Sequence, residues 1–285
     1  MTPCGRACLF RAKIFFFTEG HALKQIISAS YKDDTPAFQS EEFFDSLSRG
    51  RTASGISLRP EDVACIVFWT KNPCDHFLEH LHILDEMGIP YYIQWTISSY
   101  AKDIEPQVPR KAEVIERFRR LSRTIGADRI IWRYDPILIN DTYTVAYHKK
   151  WFGHLCSNLK GYTHRCVVSF LDEYGKLKNS RIPMRAPNQA EILDICCGIA
   201  PIAAGCGITI QTCAERDIVA ACNLGTFGIH EAPCIDAAFI EQRFGIRLDD
   251  SIKEPDSFRR CLCARNTDIG KYRRCRHNCA YCYAS

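Results

Sequence analysis

Six short apolar or aromatic runs punctuate the chain, each followed by polar turn residues and then by a longer stretch with apolar residues three or four apart. The runs are Gln25–Ala29, Cys65–Trp69, Tyr91–Trp95, Arg129–Trp132, Cys166–Phe170 and Ile208–Gln211. Their length and their content of β-branched and aromatic residues predict strands. The segments between them carry Phe77, Leu81 and Leu84, then Val114, Ile115, Phe118 and Leu121, then Ile192, Ile195, Ile199 and Ile202, the spacing of one helix face. Strands joined by helix-length connections pair in parallel through right-handed crossovers. Near-continuous apolar strands further imply a sheet covered on both faces or closed on itself. The pattern predicts an α/β fold, a complete or partial (β/α)6 TIM-like barrel of parallel strands over residues 25–258. Residues 1–24 read as an N-terminal extension, and 259–285 as a cysteine-rich tail that docks over the carboxyl ends of the strands.

Polar residues crowd where those strands should end. Asp33-Asp34-Thr35-Pro36 follows the first run, Thr70-Lys71-Asn72-Pro73 the second, Thr96 to Tyr100 the third, and Arg133-Tyr134-Asp135-Pro136 the fourth. Asp172 and Glu173 follow the fifth, and Cys213-Ala214-Glu215 the sixth. Any one of these is ordinary turn chemistry. Six in register point to an active face, because in parallel α/β folds the loops after the strands converge there.

The 285 residues, 46% hydrophobic and 25% charged, are enough to bury a full core. A formal charge of +4 neither demands nor excludes a nucleic-acid partner. No run approaches the roughly 20 apolar residues that cross a bilayer, so no membrane partner is expected. Seventeen cysteines are an excess. Their odd number, without a secretory leader, favours a reducing, cytoplasmic setting in which some bind metal. Cys156, Cys196, Cys197 and Cys206 lie among apolar residues in helical patterns and read as small hydrophobes, as do Cys65, Cys74 and Cys166. His148, His154 and His164 are assigned no role.

The tail spells Cys275-Arg276-His277-Asn278-Cys279-Ala280-Tyr281-Cys282, a CxxxCxxC spacing. Three thiolates so placed can hold three irons of a 4Fe-4S cubane and leave the fourth iron open to an exogenous chelator. S-Adenosyl-L-methionine is such a ligand, and Tyr281 would flank its adenine or screen the cluster. The competing reading is structural zinc, with Cys279 and Cys282 completed by Cys275, Cys261, Cys263 or His277. Cys213, Cys234, Cys261 and Cys263 suit a second metal site, an auxiliary four-iron cluster with four protein ligands.

CxxxCxφC, with φ aromatic, resembles the signature of the radical S-adenosylmethionine superfamily, whose usual core is a partial (β/α)6 barrel. There the motif normally follows the first strand, whereas here it ends the chain. The segments IISASYKDDTPAF, IVFWTKNP, DIEPQVP, IIWRYDPILI, GYTHRCVVSF, QTCAE and DIGKYRRCRHNCAYCYA resemble the uncharacterised domain-of-unknown-function family 1848 over residues 25–285. That resemblance implies the fold and the C-terminal cluster but no reaction. WRYDPILI is also similar to strand-four segments of spore photoproduct lyase relatives.

The leading expectation is a radical enzyme that cleaves S-adenosylmethionine reductively, fed by a reductant such as ferredoxin or flavodoxin, and abstracts hydrogen from an unknown, anionic substrate. Lys71, Arg133, Asp135 and Glu215 are the candidate catalytic residues, and Asp34, Asn72, Arg133, Asp135 and Tyr281 the candidate cofactor contacts. Arg133 can grip a carboxylate or phosphate bidentately, or pair only with Asp135 as a barrel-end salt bridge. Two other classes compete: an electron-transfer iron–sulfur protein that never binds the sulfonium, and a zinc-stabilised nucleic-acid module. The last would use Arg259, Arg260, Arg265, Lys271, Arg273, Arg274 and Arg276 as its basic surface.

Overall fold

The structure, a computed structural model, describes residues 24–172, 182–255 and 261–284. Residues 1–23 of the extension, Glu173, Arg259 and Arg260 lie outside the described residues. The strands are β1 (Gln25–Ala29), β2 (Val63–Thr70), β3 (Tyr91–Thr96), β4 (Ile130–Ile137), β5 (Arg165–Phe170), β6 (Thr209–Thr212), β7 (His230–Glu231) and β8 (Thr267–Asp268). Helices α1 (Thr35–Phe38), α2 (Ser40–Ser48), α3 (Asp75–His80), α4 (His82–Glu86), α5 (Lys111–Ile125), α6 (Val145–Leu159), α7 (Gln189–Gly205), α8 (Arg216–Ala221), α9 (Ala237–Phe244) and α10 (Asp250–Lys253) connect them. All strand pairs are parallel. The sheet runs β7-β6-β5-β4-β3-β2-β1-β8 and does not close, a partial TIM-like α/β fold.

All six runs form strands. The two additional ones, β7 and β8, are two residues long, too short to carry a period. A second difference concerns β4. Its polar residues Arg133 and Asp135 are not in a turn but within the strand, which continues to Ile137. They alternate with Trp132 and Tyr134, whose rings sit in the outer core.

The same alternation runs through the sheet. Outward residues such as Phe68, Trp95, Trp132 and Val168 pack beneath the helices. α5 turns Val114, Phe118, Leu121 and Ile125 inward, with Phe118 edging Trp95 at 5.4 Å between ring centroids, and Gly126 ends it at φ 94°. α7 starts on a capping box between Asn188 and Glu191. Its periodicity buries Cys196 but turns Cys197 to solvent, so Cys197 is not a core residue as expected. Cys65, Cys156 and Cys166 are buried. The stripe of Phe77, Leu81 and Leu84 is split between α3 and α4, interrupted at Leu81.

On the concave face the inward residues near the strand starts are apolar: Ile26, Val67, Tyr92, Ile131 and Val167. They are covered by the segment after β7, through Ile235, Ile240, Leu248 and Ala264. The Tyr92 hydroxyl donates to the Cys234 carbonyl at 2.6 Å, and the Tyr92 ring meets Phe239 at 5.3 Å. Towards the strand ends the inward positions become Ser28, Gln94, Arg133, Asp135 and Ser169, so the concave face is apolar at its base and polar at its mouth. Among the described residues no helix is long and apolar enough to cross a membrane.

Candidate functional site

A cavity of about 360 Å³ opens at the mouth. The strand ends contribute Ser30, Lys71, Thr96, Arg133, Asp135 and Ser169 to its wall; the tail contributes Cys275, Cys279, Tyr281, Cys282 and Tyr283. All three cysteines of the CxxxCxxC stretch thus face the carboxyl ends of the strands.

The tail is held there by specific polar contacts. β8 lies beside β1, and Asp268 accepts from the Ser28 hydroxyl at 2.6 Å, the Ser30 hydroxyl at 2.9 Å and the Tyr31 amide at 3.2 Å. Gly270 then passes so close that a Cβ there would fall 1.9 Å from Ser30 Oγ and 2.3 Å from Ser30 Cβ. Gly270→Ala is expected to cost roughly 1–3 kcal/mol, the usual penalty of overpacking. Urea unfolding monitored by tryptophan fluorescence checks it; an unchanged midpoint would show that β8 can shift without loss. Farther on, His277 Nε2 donates to Asp34 Oδ2 at 2.9 Å, Ala280 N to Ile104 O at 2.9 Å, and the Tyr283 hydroxyl to Tyr31 O at 2.6 Å. Asn278 adopts φ 53° in the turn between the first two cysteines, a conformation Asn tolerates.

Asp34 is a hub of this docking. It caps α1 through the Ala37 amide at 3.1 Å, accepts the Lys71 amide at 2.7 Å, and receives His277. Both carboxylate oxygens are engaged by the chain, so its evident work is to tie the first two strand ends to the tail.

Beside Cys279 lies a buried ionic group of which sequence reading named Lys71 but missed Glu105 and Lys111. Glu105, 2% exposed, sits between Lys71 Nζ at 2.8 Å and Lys111 Nζ at 2.7 Å, and the Tyr281 hydroxyl donates to it at 2.6 Å. Burial opposes ionisation of Glu105, but the two ammonium groups overwhelm that and hold its pKa far below the ordinary value. Burial likewise opposes the charge on Lys71, and Glu105 more than restores it. Two ammonium groups face one carboxylate, leaving one buried positive charge in surplus beside Cys279. The Cys279 thiol itself is pushed up to about 11 by burial, with Lys71 pulling the other way; burial pushes Cys275 up to about 12. The one signal for Glu105 was its place in the DIEPQVP segment. Nothing there tells a buried carboxylate from a solvated loop residue.

Arg133 is almost fully committed to neighbours. Its Nε and Nη2 donate to Asp135 Oδ2 at 3.0 and 2.6 Å, while Nη1 donates to Cys234 Sγ at 2.9 Å. Asp135 also accepts the Ser169 hydroxyl through its other oxygen. Asn72 and Glu215 do not line the mouth cavity. Asn72 faces a separate recess with Gln107, Arg276 and Asn278. Glu215 accepts the Phe170 amide at 3.0 Å, and burial raises it to about 7. His148 is enclosed between the Tyr134 hydroxyl and the Leu138 carbonyl, each at 2.8 Å, and burial lowers it to about 4, a packing histidine.

Cys213, Cys234 and Cys263 gather on the concave side, their sulfurs all within 4.8 Å of one another. Among the described residues the tail cysteines form no such tight group.

The model of a family described as Domain of unknown function (DUF1848) matches residues 26–284. No curated protein matches the chain. Among solved structures it is similar to a "putative alpha-L-fucosidase" from Bacteroides thetaiotaomicron, at 10% identity and a TM-score of 0.35, covering 84% of this chain and 100% of that one. It is also similar to D-psicose 3-epimerase from Clostridium cellulolyticum, at 12% identity and a TM-score of 0.33, covering 58% of this chain and 61% of that one.

Proposed function

The chain belongs to the DUF1848 family, and from that premise we propose that its mouth holds a 4Fe-4S cluster on Cys275, Cys279 and Cys282 and binds S-adenosylmethionine for radical chemistry. The observation that carries this reading is the convergence of three tail thiols on a polar cavity at the strand ends, over a buried surplus cation. Cavities of about 300–1,000 Å³ are usual for small-molecule sites, and about 360 Å³ lies within that range.

The donor set fits the cluster. Three thiolates satisfy three irons and leave one open. With three thiolates, an oxidised cubane carries one net negative charge, which the Lys71–Glu105–Lys111 surplus offsets. A single zinc ion on the same three cysteines would need them drawn together as tightly as Cys213, Cys234 and Cys263 are, and they are not. When bound, a reduced cluster supplies one electron to the sulfonium of S-adenosylmethionine, cleaving it so that hydrogen can be taken from a substrate.

The chain's own residues do the rest. Asp34, His277 and Asp268 fix the tail so that its cysteines face the strand ends. Lys71 sets the charge beneath Cys279, and the Tyr281 hydroxyl bridges Lys71 and Glu105, accepting from the one and donating to the other at 2.6 Å each. Asp135 and Thr96 offer polar contacts in the wall, and Arg133 holds Asp135 in place. Tyr283 and Tyr31 narrow the opening and limit water.

Anaerobic reconstitution, iron and sulfide counting, and electron paramagnetic resonance with and without S-adenosylmethionine test the proposal. We expect four irons and four sulfides at the tail, a spectrum that changes on adding the cofactor, and 5′-deoxyadenosine under a chemical reductant. A spectrum indifferent to the cofactor would refute it in favour of electron transfer. A tail that takes zinc in place of iron would refute it in favour of a structural module.

A further inference from the structure

We propose that Cys213, Cys234, Cys261 and Cys263 bind one zinc ion in a closed tetrahedral tetrathiolate site that clasps the two edges of the open sheet. Cys213 follows β6, Cys234 lies just past β7, and Cys261 and Cys263 precede β8. β7 and β8 are the two edges of the sheet, so these segments meet across its gap. Cys213, Cys234 and Cys263 hold their sulfurs within 4.8 Å of one another, with Cys213 and Cys263 3.8 Å apart; Cys261 lies outside that group but interacts with Cys213 and Cys263, the nearest candidate for a fourth ligand. Zinc–thiolate bonds of about 2.3 Å in a tetrahedron put the sulfurs about 3.8 Å from one another. Thiolates on separate irons of a cubane stand much farther apart, with sulfides between them. Sulfurs packed this tightly leave room for one ion, which separates this site from the auxiliary four-iron cluster expected from sequence.

The surroundings are those of thiolate ligands. The Cys234 and Ile235 amides donate to Cys263 Sγ at 3.2 and 3.5 Å, and Arg133 Nη1 donates to Cys234 Sγ at 2.9 Å. A guanidinium can only donate, so Cys234 is the acceptor. Four thiolates around a divalent ion carry a net charge of about −2, which Arg133 reduces. The Cys234 carbonyl is fixed by the Tyr92 hydroxyl at 2.6 Å and Gln94 Nε2 at 2.9 Å, so hydrogen bonds to the sheet also shape the loop that carries this ligand. Cys234 and Cys263 are each 6% exposed and Cys213 and Cys261 are half-buried; four thiolates would fill the tetrahedron and leave no coordination position for a substrate. The ion is structural: it fixes the lead-in to β8, and through it the tail.

Metal analysis of the full chain tests this independently of what the tail binds. In the Cys275→Ser/Cys279→Ser/Cys282→Ser variant, purified anaerobically, one zinc per chain and no iron is expected. Cobalt in its place should give the charge-transfer and intense ligand-field bands of a tetrahedral tetrathiolate. Cys213→Ser/Cys263→Ser should lose the zinc. If that variant is insoluble, Cys261→Ser, at the less buried corner, should release zinc to a chelator at least ~10-fold faster. Iron with equimolar sulfide in the Cys275→Ser/Cys279→Ser/Cys282→Ser variant, absence of zinc from it, or zinc unaffected by Cys261→Ser would each overturn the proposal. An iron-free tail beside a zinc-loaded inner site would refute the radical reading alone.

Discussion

Replacing Cys279 with alanine is expected to abolish 5′-deoxyadenosine formation, a fall of roughly a thousandfold or more, while the sheet stays folded. Cys279 is buried at 6% exposure and lies nearest the Lys71–Glu105–Lys111 group. Its thiol is held protonated by burial, so a thiolate forms there when metal displaces the proton. With two sulfurs left, the cubane loses the three-point hold that leaves a single iron open. The neutral thiol and the alanine present the same charge to the buried lysines, so the metal-free fold should change little. Iron and sulfide content, the reduced-cluster resonance and the product assay should fall together, with circular dichroism retained. Cys166→Ala provides the contrast: Cys166 is equally hidden but lies in the outer core, and its loss should spare the product assay. Undiminished 5′-deoxyadenosine from the Cys279 variant would remove the tail from the chemistry.

Glu105→Gln should be the most destabilising single change in the mouth, by roughly 3–5 kcal/mol, since it leaves two buried ammonium groups without their counter-charge. The pH dependence separates this from lost packing. Folding lowers the Glu105 pKa below its ordinary 4.5, so the folded state binds fewer protons than the unfolded chain just below that pH. The stabilisation is therefore complete above about 4.5 and lost as pH falls towards the folded value. Urea denaturation between pH 3 and 7 should show a steep acid limb in the parent and a flatter one in the variant. A variant within ~0.5 kcal/mol of the parent, or with the same acid limb, would show that the lysines find another partner.

How much of this was legible in the sequence differs residue by residue. β1 is bounded in the chain as its composition suggests, because a buried parallel strand must be apolar and β-branched along its length. β4 ran past its predicted end because Arg133-Tyr134-Asp135-Pro136 carries the residue types of a turn. Inside a half-barrel the same residues can remain in a strand, where every second one faces a polar mouth. Asn72 and Glu215 stood at predicted strand ends yet turn away from the cavity, since position in the chain does not set side-chain direction. Glu105, Asp268 and His277 gain their meaning from partners far away in sequence, 34, 240 and 243 residues distant.

The sequence by itself determined the parallel α/β plan and the three-cysteine tail, because hydrophobic period and ligand spacing are local properties of the chain. The docking of the tail over the strand ends and a second site on Cys213, Cys234, Cys261 and Cys263 were expectations from the sequence; tertiary structure alone decided that the tail supplies a strand beside β1, and which sulfurs, those of Cys213, Cys234 and Cys263, gather within 4.8 Å. The strand register and the sulfur distances depend on which segments the edges of the open sheet bring together, which the linear spacing of residues does not fix.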